Sequence, residues 1–326
     1  MSGGDEGVGS GGVGDAAQRS RGAVVVGVQE AGESAPVVRW AAAEAARRAV
    51  PLRLVHAEQF PFGADAVGAA WAGELTDQLD REALQDLREL AQLARATAPG
   101  LDVRTELVHD HRRHALLRAA EAACLVVTGP GRGAGALGEL LLGSTSLFLV
   151  AHVPCPVAVV REPPAGTGQE GAGGSGGAGV VVGTDGSCAA RAAEHFAAAH
   201  ARATGQELTV VRAWCAPAAG RHQAHEQARE QAREDAGRGL AETVRRVREG
   251  HPDLPVRQVL VQDPSPAAAL LTAGAGARLL VLGSRGRGAF ASALLGSVSH
   301  EVLHRAGGPV VVVPDARRRQ PGWGPV

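Results

Sequence analysis

At 326 residues, with a formal net charge of −1 from 33 basic and 34 acidic side chains, the chain suits two domains rather than one. That balance excludes a strong overall field drawing it to nucleic acid or an anionic membrane. No apolar run approaches the length of a transmembrane helix, and the N-terminus has neither the basic nor the apolar region of a secretion signal. Four scattered cysteines (Cys124, Cys155, Cys188, Cys215) argue against a disulfide scaffold, so a soluble, cytoplasmic protein with reduced thiols is expected. Ile, Lys, Asn and Tyr are absent and every strong base is Arg, a bias attributed to GC-rich coding rather than to function.

Residues 1–20 are rich in Gly, Ser and Asp and read as a disordered tail. The apolar run from Ala23 to Val28 predicts a strand buried on both faces, as in parallel sheets. Pro36–Ala49 predicts a helix with Trp40 inward, and Leu52–Ala57 a second strand. A loop with Phe60 and Phe62 leads to a long helix, Glu74–Thr97, in which Leu79, Ala83, Leu87, Leu90 and Ala94 recur at helical spacing. Strands are expected at Val103–Val108, Leu125–Thr128 and Val157–Val160, with helices at 113–123 and 144–152.

Residues 163–178, PPAGTGQEGAGGSGGA, show no apolar periodicity and read as a linker and domain boundary. Beyond it the pattern repeats. Val24–Gly27 recurs as Val180–Gly183, 156 positions later, and the same offset places Phe196 on Trp40 and Ala213 on Ala57. Further on the offset is 153, pairing Gly143-Ser144 with Gly296-Ser297 and Pro156-Val157 with Pro309-Val310. Internal duplication accounts for this, with one domain at 21–162, a second at 179–314, and a solvated tail at 315–326. The second long helix, Ala224–Glu249, carries Glu226–Arg229, Glu230–Arg233 and Glu234–Arg238 pairs, which mark a solvated face. Five strands alternating with helices in each copy predict two tandem doubly wound α/β domains, each a parallel sheet with helices on both faces.

One stretch concentrates the chemistry. Leu279–Leu282 is an apolar strand that runs into Gly283-Ser-Arg-Gly286, a turn whose backbone N–H groups an anion can approach closely. Gly296-Ser297 reads as a helix start with Ser297 as its cap, a second anion site. Arg285 and Arg287 add positive charge. Ligands of such sheets bind beyond the strand ends where strand order reverses. If the first and fourth strands are neighbours, Asp185 faces Gly283 and Gly286, where its carboxylate would accept from an adenine amino group or ribose hydroxyl, or help hold Mg²⁺.

The combination Val-Val-Val-Gly-Thr184-Asp185-Gly186-Ser187 with Gly283-x2-Gly286-x9-Gly296-Ser297 closely resembles the universal stress protein family, in particular its ATP-binding branch, over both copies. The resemblance implies a Rossmann-like, adenine nucleotide alpha-hydrolase-like domain of five parallel strands, ATP at the switch point, and pairing through the last strands. Carried over by position, it makes Asp185 the adenosine-side acid beside Thr184, and Ala213 the adenine contact. Gly283, Arg285, Gly286, Gly296, Ser297, Val298 and Ser299 become the ribose- and phosphate-binding set. The ordinary alternative for Gly283 and Gly286 is a tight connection without ligand. The first copy departs from the pattern: Gln29-Glu30-Ala31 replaces Asp185-Gly186-Ser187, and its loop is one residue longer, leaving Gly129, Gly133, Gly143 and Ser144 as a weaker site.

There is no P-loop motif, and Gly286-x-Gly288 follows the fourth strand rather than the first, which argues against a dinucleotide fold. His109, His111 and His114 read as a polar loop rather than a metal site, and His222 and His225 as solvated. With one acid, one serine and two arginines but no second acid or general base, the site is expected to hold nucleotide rather than turn it over. The leading expectation is an ATP-binding stress or signalling protein acting through an unidentified protein partner, with Mg²⁺ near Asp185 and no catalytic residue. Two others stand beside it: a slow ATPase or self-phosphorylating protein using Ser297 or Ser299, and an interaction module that no longer binds nucleotide. The last strands are expected to pair either within the chain or between two chains.

Overall fold

The computed structural model describes residues 22–58, 66–131, 142–161, 179–216, 222–286 and 295–315. The expected N-terminal tail, residues 316–326 of the C-terminal tail, the Phe60 and Phe62 loop, Gly133, the linker and Arg287 lie outside the described residues. The first half runs β1 (Ala23–Val28), α1 (Ala31–Arg47), β2 (Leu52–Glu58), α2 (Ala66–Thr97), β3 (Val103–His109), α3 (Arg112–Ala120), β4 (Ala123–Thr128), α4 (Ser144–His152) and β5 (Val157–Val159). The second runs β6 (Val180–Gly183), α5 (Cys188–Ala203), β7 (Leu208–Trp214), α6 (His222–Gly250), β8 (Val256–Gln262), α7 (Pro266–Ala273), β9 (Leu279–Gly283), α8 (Ser297–Arg305) and β10 (Val310–Val313).

All strands form one sheet in the order β3-β2-β1-β4-β5-β10-β9-β6-β7-β8. Within each half every pairing is parallel, and the order reverses between β1 and β4 and between β6 and β9. The halves meet at β5 and β10, which are antiparallel and pair Val159 with Val310, Ala158 with Val311 and Val157 with Val312. The expected pairing of the last strands thus occurs inside the chain.

Continuous valine runs suit these strands because both sheet faces are covered. Val24, Val26 and Val28 pack in a core that extends through α1, α2, α5 and α6. Val25 points the other way, into a core shared by α3, α4, α7 and α8. A side chain on Gly27 would strike Leu116 of α3 at 2.8 Å, and one on Gly183 would strike Leu270 of α7 at the same distance, so in both copies the helix leucine packs into the space that glycine leaves.

Two further contacts cross the junction. On one face Glu44 of α1 meets His200 of α5, its equivalent 156 positions on, at 3.2 Å. Arg47 and Arg48 also hold the Glu44 carboxylate, at 2.5 and 2.7 Å. Burial alone would raise the Glu44 pKa, but hydrogen bonding and charge from His200, with Arg48 and Arg47, hold it well below the usual carboxylate range. On the other face the buried Arg161, just after β5, donates to the Leu303 and Ala306 carbonyls at the end of α8, at 2.6 and 3.1 Å.

Several boundaries differ from the sequence-based expectation. Helix α1 begins at Ala31 rather than Pro36, because the Asp86 carboxylate of α2 accepts from Ala31 N at 3.0 Å and stabilises the first turn. Pro36 thus lies inside the helix, one turn from its start, where its missing N–H leaves the Gly32 carbonyl without its usual donor. Helix α2 starts at Ala66, eight residues before Glu74. Helix α3 ends at Ala120 and β4 already begins at Ala123, which pairs with Ala23 of β1 before a register shift carries the parallel ladder on from Leu125.

Candidate functional site

The switch point of the second half brings the predicted residues together. Asp185 follows β6, Ala213 lies near the end of the neighbouring β7, and Gly283 ends β9 on the other side. Gly186 has φ +77°, a conformation that favours glycine, and its N–H donates to Thr184 Oγ1 at 3.2 Å. Asp185 Oδ1 accepts from Ser187 N at 2.9 Å, which leaves Oδ2 turned to the glycine loop. A Cβ on Gly286 would lie 2.7 Å from that oxygen. A side chain on Gly286 would therefore displace the Asp185 carboxylate. Gly283 is required by packing, since its Cβ would lie 2.7 Å from the Ala189 carbonyl carbon.

The loop is tied at three points. Ser187 Oγ donates to the Arg285 carbonyl at 3.3 Å, Ser284 N donates to Val313 O at 2.8 Å, and Gly296 N donates to Ser284 O at 2.8 Å. Gly296, extended at φ −75° and ψ 152°, is the N-cap of α8, and its carbonyl accepts from His300 N. Ser297 is thus the first helical residue and not the cap, a correction to the sequence reading. It is exposed, as a residue on the outer side of the first turn, and the N–H groups of Ser297, Val298 and Ser299 have no acceptor within the helix. Ser299 is buried at 3 % exposure, and its hydroxyl donates to Gly283 O at 2.7 Å. In this arrangement it braces the loop.

The first half keeps the brace and loses the carboxylate. Ser146 Oγ donates to Gly129 O at 2.9 Å, as Ser299 does to Gly283, and Gly143 rather than Ser144 caps α4. The longer loop packs differently: Gly131, at φ +95°, approaches so closely that its Cβ would lie 2.6 Å from Gly143 Cα. At the end of β1, Gln29 N donates to Ser34 Oγ at 2.9 Å, and Glu30 stands at the N-cap of α1 without a side-chain capping bond.

Comparison with known proteins fits this duplicated architecture. The sequence profile described as "Universal stress protein family" matches residues 21–161 and again 179–314. The chain belongs to the universal stress protein family. A universal stress protein of Mycobacterium tuberculosis is 35 % identical over 297 residues, covering 90 % of this chain and 97 % of that protein. One of Mycolicibacterium smegmatis is 34 % identical over 297 residues, covering 89 % and 96 %. Among solved structures, a universal stress protein of Archaeoglobus fulgidus superposes with a TM-score of 0.62 at 19 % identity, covering 90 % of this chain and 96 % of that one, a likeness of fold.

Three features of this universal stress protein escape a reading of motifs. Glu194, on the apolar face of α5, accepts from Thr184 Oγ1 at 2.5 Å and from Arg246 of α6 at 3.1 Å. Its place beside Ala190, Ala193 and Ala197 at helical spacing hints at the inner face, but the spacing alone does not separate a buried acid from an exposed one. The cross-helix cap from Asp86 had no local signal. The third feature is a cavity of about 700 Å³ in the first half, lined by Glu58, His109, Asp110, His111, Arg113, His114 and Phe148. His111 caps α3 by accepting from Arg113 N, and His109 pairs with Asp80 at 2.9 Å. Among the described residues no three His, Cys, Asp or Glu side chains are grouped to hold a metal ion.

Proposed function

We propose that the second half binds an adenine nucleotide, ATP with Mg²⁺, and that the protein acts in stress response or signalling by coupling occupancy to the docking of a protein partner. The observation that carries this reading is the approach of Asp185 Oδ2 to the place a Gly286 Cβ would fill, 2.7 Å away, beside the start of α8. A carboxylate facing a bare-backbone cradle and a helix N-terminus combines an acceptor for a nucleoside with two donor sets for phosphate oxygens. Asp185 would accept from the nucleoside, with Ala213 against the base, while Arg285, Gly286 and the first-turn N–H groups of Ser297, Val298 and Ser299 would hold phosphate. Bound Mg²⁺ would neutralise phosphate charge, with Asp185 as the side chain that would help hold it.

The first half binds nucleotide weakly or not at all on this reading, because Gln29 and the Gly131–Gly143 packing replace the matching elements. On this reading the site holds nucleotide rather than consuming it. Mass spectrometry of nucleotide released from the purified full chain, with calorimetric titration of the stripped protein, tests the reading. One ATP per chain is expected, lost in Asp185→Ala. No released nucleotide and no titration heat would favour an interaction module instead. Protein-bound or free phosphate from γ-labelled ATP, absent in Gly296→Asp, would favour the enzymatic alternative, with the exposed Ser297 as acceptor.

A further inference from the structure

A buried carboxylate lies under the Asp185 turn where packing alone calls for hydrocarbon. Glu194 is 4 % exposed. Thr184 Oγ1 donates to its Oε1 at 2.5 Å, and Arg246 Nη2 donates to its Oε2 at 3.1 Å and to Thr243 Oγ1 at 3.2 Å. Thr184 Oγ1 also accepts from Gly186 N at 3.2 Å, and the same turn holds Asp185 Oδ1 against Ser187 N and Ser187 Oγ against the Arg285 carbonyl. An unbroken polar chain therefore runs from α6 through α5 to the glycine loop.

The first half supplies an internal control. The offset of 156 places Thr184 and Glu194 on Val28 and Val38, and the offset of 153 that aligns the ends of the long helices places Arg246 on Leu93. Val28 and Val38 are buried in the common core, and Leu93 packs against it. The fold accepts an apolar trio at these positions. Glu194 is buried but Arg246 is about a third exposed, and ion pairs that are exposed or exchangeable for well-packed apolar groups commonly add little net stability, so stability alone is a weak reason for the pair in the second half.

We infer that Glu194 and Arg246 are positioning residues for the second-half site: they fix the Thr184 hydroxyl, and through it the turn that aims Asp185 at Gly286. The inference rests on the nucleotide reading for its ligand, and on the hydrogen-bond chain for its geometry. An outer partner that orients a contacting group is commonly worth about tenfold or more in affinity.

The test uses the full chain and the double substitution Glu194→Val/Arg246→Leu, which installs the first-half residues. Three quantities are read: the Tm of nucleotide-free protein, amide hydrogen exchange at Gly186 and Ser187, and the Kd for Mg-ATP. The expected result is an equal or higher Tm, faster exchange at both amides, and affinity about tenfold weaker. Glu194→Gln, which keeps an acceptor for Thr184, should recover most of the affinity. Unchanged exchange with unchanged Kd overturns the inference, and so does a clearly lowered Tm, because the pair would then be structural. If the unsubstituted chain binds no nucleotide, the functional reading falls separately. Exchange at Gly186 and Ser187 then decides the positioning role, faster exchange supporting it and unchanged exchange ending it.

Discussion

The two halves of this protein solve the same packing problem and diverge most visibly at the switch point, with a few further differences beneath it and at the junction. Both place a glycine in the first strand under a leucine from the far-face helix, and both brace the fourth-strand loop with a buried serine, Ser146 or Ser299. They part at the strand ends. The second half has Asp185 against Gly286, whereas the first has Gln29 and a loop closed by Gly131 against Gly143. Repetition maintains the core, and each rim is left free to keep or lose chemistry.

The comparison is broken most severely at Gly286. Gly286→Val drives a branched side chain into Asp185 Oδ2, 2.7 Å from the first added carbon, and should weaken Mg-ATP binding about a hundredfold, ~2.8 kcal/mol. Titration calorimetry reads this, and an unchanged Kd would remove Asp185 and Gly286 from the site. Stability separates the halves next. Gly283→Ala meets the Ala189–Ala190 backbone at 2.7–2.8 Å and should cost about 1–3 kcal/mol in urea unfolding. The matching Gly129→Ala finds only Val37 Cγ2 at 3.4 Å and should stay within about 0.5 kcal/mol.

The junction sharpens the picture through pH. Glu44 keeps its charge in the folded protein to lower pH than in the unfolded chain, so on acidification the unfolded chain takes up the proton first. The stability Glu44 contributes is complete above its unfolded value of 4.5 and is lost as pH falls below it. Glu44→Gln should therefore lower stability at pH 7 by about 1–3 kcal/mol and flatten the acid limb of the pH–stability curve. An acid limb of unchanged slope would show that the His200 contact contributes nothing. The smallest effect belongs to the solvated face of α6, where Glu230 and Arg233 stand 3.5 Å apart, both exposed. Glu230→Gln should change thermal stability by less than about 0.5 kcal/mol.

The central strands were legible because they are runs of valine and leucine buried on both faces, whereas the outer strands β3 and β8 are mixed and partly exposed and were legible by their place in the repeat. Register within the repeat was legible too, since Gly27 and Gly183 recur at one offset. Helix starts were less so. The first turn of α1 depends on Asp86, more than 50 residues away, and local capping rules contain no such term. The Gly296-Ser297 pair predicted the helix start and misassigned the cap, because the glycine takes the extended cap conformation while its N–H is held by Ser284 O. Asp185 was found by its place at a strand end. Glu194 and Arg246 were not, because an acid on a helix surface and a buried acid look alike until the neighbouring helix is in place.

The antiparallel seam between β5 and β10 has a geometric consequence. Every strand of one half runs parallel to β5 and every strand of the other to β10, so the two switch-point rims open at opposite ends of one continuous sheet. Neither rim overlooks the other. Any coupling between them would pass through the seam of Val157–Val159 and Val310–Val312, the Glu44–His200 contact, and Arg161, which grips the tail of the helix whose head forms the second rim.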